Sequence, residues 1–266
     1  MRRAIIIGAT GQDGTYLYRL LEKKGYRVFG MGRSRIITNN ESWKDEPAID
    51  ISDFSRVASL VQKIQPDEIY HLAAVHHSSE DEIPDPVTLF RQSYAVNVTS
   101  LFNVLEAIRQ FSPKTRLFYA ASSHIFGRPA TEPQDETTCI SPLNTYAVTK
   151  VSGLHLCRMY RTVHGVFASV GILYNHESPL RGEQFVSGKI ARGAVRCKRD
   201  PAHRLVLGNL TGEVDWGYAP DYVDAMHRIV NLLDADDFII ATGRSTRWRS
   251  LSGLPLRPSG WTGGTT

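Results

Sequence analysis

Three cysteines in 266 residues, Cys139, Cys157 and Cys197, make an odd number with no metal-ligand spacing. This argues against a disulfide scaffold and a metal site, and makes reduced thiols in a cytoplasm the expectation. Long apolar runs are missing as well. No stretch approaches the roughly 18 uninterrupted apolar residues of a membrane span. The opening MRRAIII is interrupted by Gly8, Gln12 and Asp13 before a secretory core can form, so its twin arginines are not read as an export signal. An excess of one charge is scarcely present. The formal net charge is +4, and residues 244–266 carry four arginines (Arg244, Arg247, Arg249, Arg257) and no acid, which leaves 27 basic against 27 acidic residues in the rest. A polyanion calls for a broad basic face, so nucleic acid is not an expected partner. A small substrate with a phosphorylated handle suits a neutral body better.

What is present is size and pattern. A chain of this length with 42% hydrophobic residues can bury a proper core. Its first half alternates short apolar runs with amphipathic stretches. Ala4 to Ile7 is followed by Leu17 to Lys24, then Arg27 to Met31; Ser52 to Ile64 leads to Glu68 to Ala74; Val87 to Ile108 leads to Arg116 to Ala121. Continuous apolar strands alternating with helices imply an α/β fold, a doubly wound parallel sheet of Rossmann-like type. Pro142 precedes the next helix, Gly165 marks its end, and Val166 to Leu173 reads as a further strand. Pro179, Gly182, Gly188 and Gly193 then break the alternation in what reads as a smaller, truncated substrate lobe. Asp221 to Leu233 and Phe238 to Ala241 resume helix and strand on the sheet. The expected organisation is a dinucleotide-binding domain over 1–174 and 212–243 with a lobe over 175–211. The tail 244–266 has no periodicity or hydrophobic face and is expected to be irregular or disordered.

The glycine loop GATGQDG follows the first strand and opens the first helix. Gly8 makes the tight turn, Gly11 lets backbone amides approach a pyrophosphate, Gly14 completes the triplet, and the helix N-terminus adds partial positive charge. Thr10, Gln12 and Asp13 belong to the same candidate cofactor loop. An acid at the end of the second strand would bind the ribose 2′-hydroxyl of NAD. The run there is MGRSR, so Arg33 and Arg35 favour a 2′-phosphate, hence NADP, against the alternative of solvated loop arginines. Asp50 and Ile51 are placed to meet the adenine. Leu72, Ala73 and Ala74 are candidates for lining the cofactor's path.

Downstream, Ser122 precedes the run YAVTK, in which Tyr146 and Lys150 lie four residues apart and share a helix face. An ammonium beside a phenol favours its ionised form, so Tyr146 is a candidate base with its pKa depressed by Lys150. These residues together resemble the extended short-chain dehydrogenase/reductase family. The blocks LYNHESPLRGEQFVSGKI and LGNLTGEVDWGYAPDYVDAM, with GATGQDG, ETT, YAVTK and FIIATG, are similar to those of GDP-mannose 4,6-dehydratases from residue 3 to Gly243. The resemblance implies that Ser122 and Tyr146 hold the sugar 4-hydroxyl, that Lys150 binds the nicotinamide ribose, and that Asn175, Glu177, Arg181, Lys189 and Arg192 bind the nucleotide sugar. It also implies a homodimer or homotetramer packed through helices, with Val87 to Ile108 and the Tyr146 helix as candidates.

The pattern has departures. The family's glutamate two residues after the Ser/Thr is here His124, whose imidazole can accept a C5 proton near neutral pH. Its Gln-Ser-His after the fourth strand is Val75, His76 and His77, and Val214 stands in place of an arginine. The expectation is therefore a nucleotide-sugar 4,6-dehydratase using NADP. A 4-epimerase, 4-dehydrogenase or ketoreductase on the same fold, or a non-catalytic dinucleotide-binding remnant, stand as alternatives.

Overall fold

A computed structural model describes residues 1–76, 84–200, 202–207 and 212–247. Strands β1 (Arg3–Ile7), β2 (Arg27–Met31), β3 (Ile36–Thr38), β4 (Glu68–His71), β5 (Arg116–Ser122), β6 (Ala168–Leu173) and β9 (Asp237–Ile240) form one sheet in the order β3-β2-β1-β4-β5-β6-β9. All neighbours run parallel except β3, a short antiparallel edge strand that apolar periodicity did not reveal. Period-2 alternation divides the core. Ile5 and Ile7 face one layer with α2 (Phe54–Ile64), α4 (Ser100–Phe111) and α5 (Thr145–His164), whereas Ala4 and Ile6 face the other with α1 (Gln12–Lys23) and α7 (Ala219–Val230). Helix entry points are fixed by side-chain caps. Asp53 accepts from Arg56 N–H ahead of α2, and Asn144 from Ala147 N–H ahead of α5, which ends at Gly165 with φ of 66°.

The expected single helix from Val87 to Ile108 is interrupted. Its parts are α3 (Pro86–Tyr94), a π-turn over Ala95–Thr99, and α4. The extra residue turns Asn97 fully inward, where its Oδ1 accepts from Val75 N–H at 2.8 Å and its Nδ2 donates to Thr149 Oγ1 at 2.9 Å. This ties the loop after β4 to α5.

The lobe differs from expectation too. Gly188 and Gly193 lie inside α6 (Val186–Arg199), where a Cβ would meet Gly182 O at 2.3 Å and Leu205 Cδ1 at 2.5 Å. They allow close packing of the helix instead of breaking it. Strand β8 (Glu213–Tyr218), expected on the main-sheet side of the boundary, pairs with β7 (Asn175–Glu177) and with β10 (Ser245–Arg247) in a separate three-stranded sheet. Tail residues 245–247 are therefore ordered as a strand, held because β8 offers them an open edge and Arg247 pairs with Glu213. The remaining tail expectation, 248–266, lies outside the described residues, as does His77. Among the described residues, no helix is long and apolar enough to cross a membrane.

Candidate active site

The C-terminal ends of β1, β4, β5 and β6 open onto one cleft of about 770 Å³. At one end lies the glycine loop. Gly8 and Ala9 donate their amides to Met31 O at 2.8 and 3.0 Å, which pins the loop to the end of β2. Gly8 has φ of 97°, and a Cβ there would stand 2.7 Å from Ala73 N; at Gly14 it would stand 2.2 Å from Gly8 O. The α1 N-terminus has no side-chain cap, so its amides face the cleft unshielded by their own helix. A cradle that side chains would fill, open amides and a cleft running on to Tyr146 fit a dinucleotide.

At the other end, Ser122 closes β5 while Tyr146 and Lys150 occupy successive turns at the start of α5. The Ser122 hydroxyl accepts from His124 N–H at 3.3 Å and favours the ionised form of the nearby Tyr146 phenol. Lys150, 1% exposed, donates its Nζ to Ala120 O at 2.7 Å and stands 5.6 Å from the Tyr146 ring centroid. The expected depression of the tyrosine is absent. Burial pushes its phenol up to about 12, outweighing the Ser122 hydroxyl, which favours the anion. Lys150 gives little help because its ammonium is engaged by a backbone carbonyl, and burial takes its own pKa down to about 7. Beneath them His71 is buried, bonded to Ser100 Oγ at 2.7 Å, and held neutral by burial and by Lys150, its pKa near about 3.

Above the tyrosine, His76 and His124 form a triangle with it. The ring centroids are separated by 4.5 Å (His76 to Tyr146), 5.8 Å (His124 to Tyr146) and 6.1 Å (His76 to His124). His124 is open to the cleft on one side, yet burial lowers its imidazole pKa.

The remaining expected residues separate into groups. Gly8, Gly11, Gln12, Asp13, Gly14, Leu72 and Ala74 line the cleft with Asn175, Glu177, Arg181 and Lys189. Arg181 pairs with Glu177 at 3.2 Å and lies 3.7 Å over the Phe185 ring. Arg192 is elsewhere: it ion-pairs with Glu183 and lines a second recess of about 250 Å³ shared with Lys189. Thr10 packs against Gly32, beside the turn in which Gly32 N–H donates to Arg35 O at 2.9 Å. Arg33 and Arg35 are exposed at that turn. Asp50 is exposed and accepts from Ser52, and the Ile51 carbonyl accepts from Asn103; neither lines the cleft. His176 and Phe185 line it without having been singled out. They sit inside the LYNHESPLRGEQFVSGKI block, where neither spacing nor charge sets them apart from their neighbours.

A family model described as GDP-mannose 4,6 dehydratase matches residues 5–256, past Gly243, where the resemblance was expected to end. GDP-mannose 4,6 dehydratase 2 of Caenorhabditis elegans is 37% identical over 273 residues, spanning 97% of this chain and 70% of its own length. GDP-mannose 4,6-dehydratase of Yersinia enterocolitica is 35% identical over 277 residues, spanning 98% and 73%. Among solved structures, RMD from Pseudomonas aeruginosa complexed with NADPH aligns with a TM-score of 0.79 at 22% identity over 96% of this chain and 81% of that one. The dTDP-glucose 4,6-dehydratase of Bacillus anthracis in complex with NAD aligns with a TM-score of 0.78 at 15% identity over 96% and 80%. At such identities the structures speak for the fold, an extended version of the dinucleotide-binding sheet. The sequence matches go further: the chain belongs to the GDP-mannose 4,6-dehydratase family.

Proposed function

We propose that the protein is an NADP-dependent dehydratase that converts GDP-mannose to GDP-4-keto-6-deoxymannose. One observation carries this reading beyond family membership: Ser122, Tyr146 and Lys150 converge at the floor of the cleft that begins at the glycine loop. NADP, when bound, supplies a hydride acceptor at C4 and returns the hydride at C6, so the overall change is loss of water. The chain's residues handle protons and position. Ser122 and Tyr146 hold the 4-hydroxyl, and Tyr146 takes its proton as the phenolate, a form that the positive charge of an oxidised nicotinamide would favour against burial. Lys150, anchored on Ala120 O, orients the nicotinamide ribose. His124 accepts the C5 proton once a C4 ketone has acidified it; its lowered pKa keeps the imidazole neutral and able to accept at pH 7. Gly8, Gly11 and Gly14 admit the pyrophosphate, with Gln12, Leu72 and Ala74 along the dinucleotide's path; Arg33 and Arg35 meet the 2′-phosphate. Asn175, Glu177, Arg181 and Lys189 hold the nucleotide sugar.

His124 in the glutamate slot supports a second reading, oxidation and re-reduction at C4 alone, as in an epimerase or ketoreductase. Deuterated buffer separates the two. Protein loaded with NADP and given GDP-mannose should yield a 4-keto-6-deoxy sugar labelled at C5 by NMR; returned GDP-mannose without label overturns the dehydratase reading.

The same reading takes the protein to act in the cytoplasm as a homo-oligomer. Val87, Phe90, Phe102, Met159 and Val163 are large apolar side chains left exposed on α3, α4 and α5. Sedimentation equilibrium giving twice or four times the mass of one chain would support this, and a monomer at micromolar concentration would refute it.

A further inference from the structure

The two histidines that depart from the family pattern stand together. His76 follows β4 and His124 follows β5, adjacent strands of the sheet, and their rings lie 6.1 Å apart at an interplanar angle of 82°, both packed on Tyr146. His76 also stacks on Phe185 at 5.6 Å with an interplanar angle of 8°. His124 takes the place of the family's carboxylate, and His76, in place of the family's serine, adds a second imidazole on the same side of the phenol. From this geometry we infer that His76 and His124 work as an acid–base pair at C5 and C6 of the sugar, with His124 as the base and protonated His76 as the acid for the departing 6-hydroxyl.

The inference rests on the dehydratase reading and adds the group that assists C6. Once C4 is a ketone, the C5–H bond breaks. Its proton goes to the neutral nitrogen of His124 and its electron pair is held in the C4 enolate, from which the C5=C6 bond forms as the 6-hydroxyl leaves. The C6–O bond breaks with its pair on oxygen, and His76 gives that oxygen a proton, releasing water. The proton that Tyr146 took from the 4-hydroxyl balances the one His76 gave up, and protonated His124 later returns its proton to C5. Two imidazoles at this separation disfavour double protonation, so a proton carried by His76 leaves His124 neutral, the state the step requires. Desolvation favours the neutral form at His124, and Phe185 holds the His76 ring in place by stacking. Asp13, Lys150, His176, Glu177, Arg181 and Lys189 line the same cleft and set the field in which the pair titrates.

The test uses NADP-loaded protein with GDP-mannose in deuterated buffer, comparing wild type, His124→Ala, His76→Ala and His76→Gln, each first checked for fold and for NADPH binding by fluorescence. His124→Ala should lose both C5 exchange and product. Either His76 variant should retain C5 exchange into recovered GDP-mannose while product formation falls by about 100-fold or more, and added imidazole should restore part of the product with His76→Ala. Product within threefold of wild type in both His76 variants, or exchange lost in step with product, overturns the pair. Wild-type protein that makes no product overturns the dehydratase reading itself, a different result from indifference to His76.

Discussion

Asp13 and His176, 163 residues apart, meet across the cleft with a carboxylate-to-imidazole distance of 2.9 Å. Gln12 reinforces the contact by donating to His176 O at 3.1 Å and accepting from Ser178 Oγ at 2.8 Å, so the first turn of α1 is fastened to β7 and the chain after it. Burial opposes charge on both partners, yet the hydrogen bond and mutual attraction win: Asp13 is held below its ordinary value and His176 above it. The His176 contribution to stability is complete below the usual imidazole pKa and is lost as pH rises through the raised one. The Asp13 contribution is complete above 3.8 and is lost as pH falls through the lowered one. Asp13→Asn should therefore reduce stability most between about pH 4 and 6.5, by roughly 2 kcal/mol or about 4–8 °C in Tm, and less at pH 8.5. Thermal melts across that range check it.

Tyr146→Phe removes the proton acceptor at C4 while leaving the ring that packs on His76. Product formation should fall by about 100- to 10,000-fold with NADPH affinity unchanged within a few-fold, as read by stopped-assay NMR and fluorescence titration.

Lys150→Met should separate two effects. A buried lysine whose pKa falls to about 7 costs stability in full below that pH, and the cost fades between there and 10.5, where the folded protein binds fewer protons than the unfolded one and stability rises with pH. Methionine removes this cost, and the variant should melt at a higher temperature than wild type at pH 6, with the advantage shrinking towards pH 9. Its affinity for NADPH should drop, because the ribose loses its ammonium partner.

Arg33→Ala combined with Arg35→Ala should weaken NADPH binding by tenfold or more, roughly 1.4 kcal/mol or above, and leave NADH binding unchanged. Fluorescence titrations with both nucleotides decide this; equal losses for the two would show that the arginines do not read the 2′-phosphate.

Gly14→Ala tests the glycine cradle. The added methyl meets Gly8 O at 2.2 Å and Ala9 Cα at 2.6 Å, backbone atoms that cannot yield without moving α1 off β1. NADPH binding should be lost, and Tm should fall by several degrees. Gly25→Ala, whose Cβ meets nothing, serves as the comparison, with only the strain of its φ of 79° to bear.

Much of this was legible in the chain because it rests on local periodicity. Continuous apolar runs gave β1, β2, β4, β5 and β6 within two or three residues, and Gly165 marks the end of α5 by capping chemistry that acts over a single turn. The lobe was less legible. Glycines read as breaks, such as Gly188, are contact points with distant backbone, and β7, β8 and β10 are three to six residues long and defined by one another, not by their own pattern. The site followed the same division. Ser122, Tyr146 and Lys150 could be placed from spacing, but the state of Tyr146 could not, because its pKa depends on desolvation by tertiary neighbours. Arg192 stands two residues past the LYNHESPLRGEQFVSGKI block and is drawn to Glu183, nine residues earlier, outside the cleft.

The π-turn at Ala95–Thr99 has a consequence for His76. Val75, the residue before it, is pinned to Asn97, and Asn97 is pinned to Thr149, the residue before Lys150. The surplus residue in the long helix thereby works as a ruler, one turned amide measuring the span between loop and helix. Deleting a single residue from 95–99 would straighten the helix, withdraw the amide and leave imidazole and phenol adrift of each other, without touching either ring.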